Sequence, residues 1–240
     1  MILYIDTETT DLRHYKLQYN KNPIDILQLS ILKAKKKGAK ESSLLMNFYF
    51  KSDLENKGFS SNKIDSNSIE NEVPITDKSY EFLKNMIFYD GNTIVGHNIL
   101  GFDLPLLISI LDIDVSKLNL KIVDTFMLHR ELKVKGIVDK DQSLNLEELR
   151  KLYRFRKFTA HNAIEDCKMT EKVLNNYLKL YDKNLEDCTL TKESICGLHN
   201  PNTRVWYYLG IPIKMGIKYM NTPPYFRNLV ENIWKKTKEE

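Results

Sequence analysis

The chain holds only three cysteines in 240 residues, Cys167, Cys188 and Cys196, an odd number with no C-x-x-C pair. That excludes a disulfide framework and a cysteine-built structural zinc site, and leaves three ordinary buried thiols. Long apolar runs are missing as well. The longest, Leu104 to Leu111, is eight residues and contains Pro105 and Ser109, against the roughly 20 that a membrane helix requires. The apolar N-terminus has no basic leader and reaches Asp6 within six residues, so the expectation is a cytoplasmic protein with no membrane partner. No internal repeat is visible, and nine glycines with seven prolines exclude a collagen-like chain. Strong charge of one sign is absent too. The net charge of +4 is too small to announce nucleic-acid binding by itself.

What is present describes a folded protein. Hydrophobic residues make up 42% and charged residues 28%, close to the soluble average, and the length suffices for one large domain or a domain with an appendage. Apolar and β-branched stretches predict strands at Met1–Thr7, Ile24–Ala34 and Leu44–Phe50. Residues 51–75, rich in Ser, Asn, Asp and Lys, read as a long exposed loop or insertion. Beyond it a helix is expected at Asp77–Tyr89, then strand Thr93–Val95, helix Asp103–Leu111, strand Lys121–Val123 and helix Thr125–Leu132, with further helices at Asn145–Tyr153 and Ala160–Tyr181. Strands in a run followed by alternation predict an α/β fold whose mixed sheet is antiparallel at one edge and parallel at the other. Residues 182–240 hold both tryptophans and four of the seven prolines. They read as a C-terminal appendage to a domain spanning 1–181.

Charge distribution says more than net charge. Five lysines fall within Lys33–Lys40, and Arg150, Lys151, Arg154, Arg156 and Lys157 fall just before His161. Each run can be a solvated face or a contact for a phosphate backbone.

Three acidic elements stand out. Asp6 and Glu8, two apart near the end of the first strand, project from the same face and interrupt a stretch otherwise fit for the interior. A cation meeting them would offset the cost of burying carboxylates, and a strand end opening onto solvent would avoid it. The second element, Gly96 to Asp103, is a strand, a turn and a helix start, where Asp103 could simply cap its helix. The third is His161 to Asp166. Five helical steps put two side chains about 140° apart, so His161 is expected in the preceding loop or first turn, free to swing toward a site that Asp166 reaches from the helix.

Asp6-Thr7-Glu8-Thr9-Thr10, His97-Asn98 with Phe102-Asp103, and His161-x-Ala163-x-x-Asp166 resemble, in order and spacing, the three motifs of the DEDDh superfamily of 3′→5′ exonucleases. That superfamily includes exonuclease X, ribonuclease T and the proofreading exonuclease domains of bacterial replicative polymerases. The flanking Asp124-Thr125 and Leu146-Glu147-Glu148-Leu149 are similar as well. Two positions bear on the match: Asp11 stands where many relatives have glycine, and Asn162 stands where a sister group carries tyrosine, so His161 assigns the chain to the histidine branch.

The resemblance implies a ribonuclease H-like fold over roughly residues 1–180 and a two-metal phosphodiester hydrolase using Mg²⁺ or Mn²⁺. By the same resemblance Asp6, Glu8, Asp103 and Asp166 are the metal ligands and His161 the general base, a residue type whose ordinary pKa of about 6.5 suits the task. Substrate contacts would come from Thr9, Thr10, His97, Asn98 and Phe102, and from Arg150, Arg154, Arg156 and Lys157 in the basic run. The implied partner is single-stranded nucleic acid with a free 3′ end, DNA favoured over RNA. Two alternatives stay open: a phosphodiesterase of small oligonucleotides, or a catalytically retired nuclease fold that holds nucleic acid or protein. Aromatic and basic residues interleave in 182–240, so this segment could hold a strand, dock on the core, or bind a polymerase, another protein or a second copy.

Overall fold

The computed structural model describes residues 1–11, 25–34, 42–75, 80–111, 113, 118–156 and 159–191, and the backbone of 199–200, 205–208 and 211–213. A six-stranded sheet in the order β3-β2-β1-β4-β5-β6 forms the centre. Its strands are β1 (Ile2–Thr9), β2 (Ile26–Lys33), β3 (Ser43–Tyr49), β4 (Thr93–Gly96), β5 (Lys121–Asp124) and β6 (Leu190–Thr191). β1 pairs antiparallel with β2 and β2 with β3, while β4 runs parallel to β1 and β5 parallel to β4. The sheet is mixed, but its parallel half is not an edge: β6 returns antiparallel to β5. A two-residue strand is too short to carry an alternating pattern, which is why no sequence signal marks it. Cys188 and Leu190, just before and within β6, are each 1% exposed and join the main core.

Burial follows position in the sheet. Interior β2 is buried from Ile26 to Leu32, whereas Leu44, Leu45 and Phe48 of edge strand β3 are exposed. Helices α2 (Tyr80–Ile87), α3 (Asp103–Ile110), α4 (Thr125–Val134), α5 (Leu146–Leu152) and α6 (Ala163–Leu180) follow the strands. α6 packs on β1 and β2 and buries Asp166, Thr170, Val173 and Tyr177 at helical spacing. α5 sits against α6. Its start is fixed by Asn145, whose side-chain oxygen accepts from Glu148 N at 2.8 Å, and Glu147 and Glu148 lie at the positive end of the helix dipole. Among the described residues no helix is long and apolar enough to cross a membrane.

Residues 51–75 are mostly exposed, as expected of a loop or insertion, yet they carry local order. They fold into a short helix α1 (Phe59–Asn62) and a 3₁₀ turn at Ser66–Ile69, and Ile64 and Ile69 bury against Leu27. Gly58 N donates to Thr10 O at 3.0 Å, and a Cβ at Gly58 would lie 2.9 Å from Thr9 O. Only glycine lets the segment approach so closely. Asn62, buried, closes the contact by donating from Nδ2 to Thr9 O at 2.9 Å. The segment has no periodicity because its order comes from side-chain amides and one glycine.

A second antiparallel sheet, β7 (His199–Asn200), β8 (Val205–Tyr208) and β9 (Ile211–Ile213), lies in the C-terminal segment. Of the aromatic and basic residues of the C-terminal segment, Arg204, Lys214, Lys218, Tyr219, Tyr225, Phe226, Arg227, Trp234 and Lys235 lie outside the described residues, as do Lys35, Lys36, Lys37, Lys40 and Lys157.

Candidate active site

The C-terminal half of β1 carries Asp6 and Glu8, and α6 packs on this strand. Asp103 opens α3, yet its carboxylate does not serve mainly as a cap. Oδ1 accepts from Thr7 N at 2.9 Å and from Thr7 Oγ1 at 2.7 Å, so the side chain is anchored to β1 across 96 residues of sequence. Asp166 sits in the first turn of α6, where its Oδ2 accepts from the backbone N–H of His161 at 3.0 Å. His161 itself lies outside the helix in a left-handed conformation, φ 61°, and is exposed. Ligand atoms of Glu8, His161 and Asp166 all lie within 4.8 Å of one another.

Burial pushes all four acids toward their neutral forms. Asp6 is raised well above the usual carboxylate range, first by burial and then by the charges of Asp103, Asp166 and Glu8. Glu8 is raised to about 8 by burial, with Asp166 and Asp103 adding repulsion. Asp103 and Asp166 rise to about 7, again through burial, and are held back by the hydrogen bonds from Thr7 and from the His161 and Asn162 amides. Four buried acids whose ionised forms are disfavoured form a donor set that a divalent cation would relieve. Oxygen-rich, with one imidazole within reach, the set suits Mg²⁺ or Mn²⁺ better than a thiolate-seeking metal.

The motif around Asp103 is shaped from below by Asp124, a buried residue at the end of β5. One oxygen accepts from Asn98 N at 2.9 Å and from Phe126 N at 3.0 Å; the other accepts from Leu100 N at 3.1 Å. These amides hold its pKa to about 6 against a larger upward push from burial. Asp124 thus ties the turn that delivers Asp103 to the start of α4. In the sequence it shows only as part of the Asp124-Thr125 pair with no role assigned, because a carboxylate spent on backbone amides looks like any N-cap.

The remaining candidates divide. Thr9 and Thr10 are buried at 1% exposure, and their hydroxyls hold the turn: Thr9 Oγ1 donates to Asp11 O, and Thr10 Oγ1 accepts from Asp25 N. Both hydroxyls are engaged within the loop beside the site. His97 is half-buried, with Nδ1 2.9 Å from Thr125 Oγ1 and its ring edge-on to Phe126; burial lowers its pKa to about 3, which keeps it neutral. Asn98 is exposed with φ 59°, and Phe102 is half-exposed beside Asp103. Arg150 is committed elsewhere: it forms a forked ion pair with Glu147 and donates to Phe155 O. Arg154 and Arg156 are exposed and have no partner among the described residues.

Residues 3–174 match the sequence profile of the RNase T exonuclease family. The chain belongs to this exonuclease family. No curated protein sequence matches it significantly. Solved structures share the fold at low identity. E. coli exonuclease I in complex with a dT13 oligonucleotide superposes with a TM-score of 0.62 at 16% identity, covering 83% of this chain and 46% of the other. Cell-death related nuclease 4 (CRN-4) gives 0.54 at 16% identity, covering 75% of this chain and 64% of its own. A chain from the structure of the yeast NOT1 MIF4G domain co-crystallised with CAF1 gives 0.55 at 15% identity, covering 78% of this chain and 85% of the matched one. The chain spans less than half of the exonuclease I structure.

Proposed function

We propose that the protein is a 3′→5′ exonuclease that removes nucleoside 5′-monophosphates from the ends of single strands, DNA in preference to RNA. One observation carries the reading: Glu8, His161 and Asp166 bring ligand atoms within 4.8 Å of one another, Asp6 lies two residues before Glu8 on the same strand, and Asp103 is hydrogen-bonded to Thr7 between them. The preference for DNA draws support from the dT13 complex of exonuclease I, whose fold this chain shares.

Asp6, Glu8, Asp103 and Asp166 would hold two divalent cations, Mg²⁺ or Mn²⁺. Bound there, the cations supply positive charge at the scissile phosphate and ease deprotonation of the attacking water. The protein's own part is positional. Thr7 fixes Asp103 through two hydrogen bonds, and Asp166 fixes the backbone of His161, so the imidazole can take the proton of a water lying in line with the leaving 3′-oxygen. Arg154 and Arg156, exposed and without side-chain partners among the described residues, would meet the strand's backbone.

Digestion of 5′-labelled single-stranded DNA, duplex DNA and RNA of one sequence, with Mg²⁺ or Mn²⁺, tests this reading. Stepwise shortening from the 3′ end with release of 5′-monophosphates is expected, and a circular single strand should survive. Cuts inside the circle would refute the exonuclease reading.

A further inference from the structure

Gln28 lies within β2 among Ile26, Leu27, Leu29 and Ile31 and is 1% exposed. A carboxamide buried there costs free energy unless both its oxygen and its nitrogen find partners. Both do. Oε1 accepts from the backbone N–H of Ala163 at 3.2 Å, across 135 residues of sequence, and Nε2 donates to Asn47 Oδ1 of β3 at 2.8 Å. Ser30 Oγ donates to the same Asn47 oxygen at 2.7 Å, so the group that steadies Gln28 is itself held.

Ala163 is the first residue of α6, the helix that carries Asp166 and follows His161. The first N–H groups of a helix have no partner within it, and the N-cap side chain ordinarily accepts from one of them. Here the N-cap is Asn162, and its side chain makes no such bond; its oxygen is buried without a hydrogen-bond partner among the described residues. Other groups take over. Asp166 accepts from the His161 N–H at 3.0 Å and from the Asn162 N–H, and Gln28 accepts from the next amide, that of Ala163. Three consecutive amides are thereby held, the last of them from the sheet.

We propose, on the exonuclease reading, that Gln28 is a positioning residue for strand cleavage: it ties the start of α6 to β2 and so sets where Asp166 and His161 stand relative to Glu8. The register puts it in the right place. Gln28 is directly opposite Glu8 in the antiparallel ladder of β1 and β2, so the two side chains leave the same face of the sheet. The tie therefore joins α6 to the sheet at the level of Glu8, where ligand atoms from β1 and α6 must converge. Without it the Ala163 amide, in a residue 0% exposed, is left with no acceptor. The helix start must then shift, or Asp166 must turn toward a third amide, and either change moves a group that the chemistry needs in place.

The test uses the full chain with Mg²⁺ and single-stranded DNA, reads kcat and KM separately, and follows hydrogen exchange at the Ala163 amide. Gln28→Met is close in size and cannot take up the Ala163 N–H in the same way. Its kcat should fall about 10- to 100-fold, as for displaced catalytic groups, with KM little changed because Gln28 is out of reach of substrate. Exchange at Ala163 should quicken about tenfold with the loss of one hydrogen bond. Gln28→Glu keeps an oxygen for Ala163 in either protonation state and should bring kcat back to within about threefold of the parent, with slow exchange. Asn47→Ala removes only the group that steadies the Gln28 amide, and a smaller fall in kcat of about threefold at constant KM is expected. Parent kcat or parent exchange in Gln28→Met would overturn the assignment, as would a change confined to KM or equal losses in Gln28→Met and Gln28→Glu. If Gln28→Met does not fold, Asn47→Ala decides by the same readings. A parent protein that cuts no strand would instead refute the exonuclease reading, and exchange at Ala163 would still show whether Gln28 holds the helix.

Discussion

The two sides of the acidic cluster are built differently. On the Asp103 side the sheet and its neighbours fix everything: Asp103 is 2% exposed and bonded to Thr7 of β1, and the turn delivering it is pinned by Asp124. On the His161 side the groups stand on loops: His161 is exposed and left-handed, and across a cavity from it lies a segment held down by Asn62 and Gly58. The first side suits ligands whose spacing must not change as strands pass. The second suits groups that must admit a substrate and release a product.

The largest effect should come from the shared centre. Asp6→Ala, Glu8→Ala and Asp166→Ala should each abolish metal-dependent digestion while circular dichroism stays unchanged, because each removes a charged ligand without opening an apolar cavity. Near-normal turnover in any of them would break the two-metal assignment. Next in size, His161→Ala should lower turnover by roughly 10² to 10⁴ and leave metal binding close to normal, as for loss of a general base. Loss of metal affinity equal to that of Glu8→Ala would move His161 from the base to the ligand set.

The rigid side makes a smaller, opposite prediction. Thr7→Val removes one of two hydrogen bonds to Asp103 and should cost about 1 kcal/mol of stability, with a several-fold fall in kcat and little change in KM. A change confined to KM would mean that Asp103 meets substrate and not metal.

Stability against pH separates the cluster from the rest of the fold. The raised carboxyl pKa values mean that the folded protein without metal binds protons that the unfolded chain has released. Their stabilising contribution is complete below the ordinary carboxylate values and is lost as pH rises toward about 8, the value for Glu8. Thermal midpoints in chelator should fall between pH 5 and 8 as buried acids are forced to ionise. Added Mg²⁺ should reverse the trend, since a cation at a hundredfold excess over its Kd adds about 2.7 kcal/mol. Parallel curves with and without Mg²⁺ would show that no cation binds there.

Much of the fold was legible because hydrophobic periodicity survives in long elements. β1, β2 and β3 lie within two residues of their expected ends, and α6 begins at Ala163 because His161 needs a non-helical backbone. What escaped has other causes. β6 is two residues long, and the 51–75 segment owes its order to Asn62 amide bonds and the close approach of Gly58. Among site residues, the acids and His161 were readable as motifs resembling a family. Thr7 and Asp124 stood in or beside the motifs without a role of their own, since their importance lies in which amide or carboxylate they meet across the sheet.

The smallest effect concerns the basic run before His161, which the structure divides into spent and free cations. Arg150 is bound to Glu147 and the Phe155 carbonyl, within α5 and the turn after it, whereas Arg154 and Arg156 project without partners among the described residues. A cation that meets a strand releases counterions from it, and for single strands each such contact adds about 0.7 to the steepness of log K against log salt. Arg154→Gln and Arg156→Gln should each weaken binding of a long single strand a few-fold and flatten that slope by about 0.7. Arg154 also has φ 57°, so Arg154→Gly should flatten it equally without loss of stability. Arg150→Gln should leave the slope alone and lower the melting temperature slightly, because what it breaks is an ion pair inside the fold. If Arg150→Gln flattens the slope instead, its pairing with Glu147 yields to substrate, and the division of the run into structural and binding halves fails.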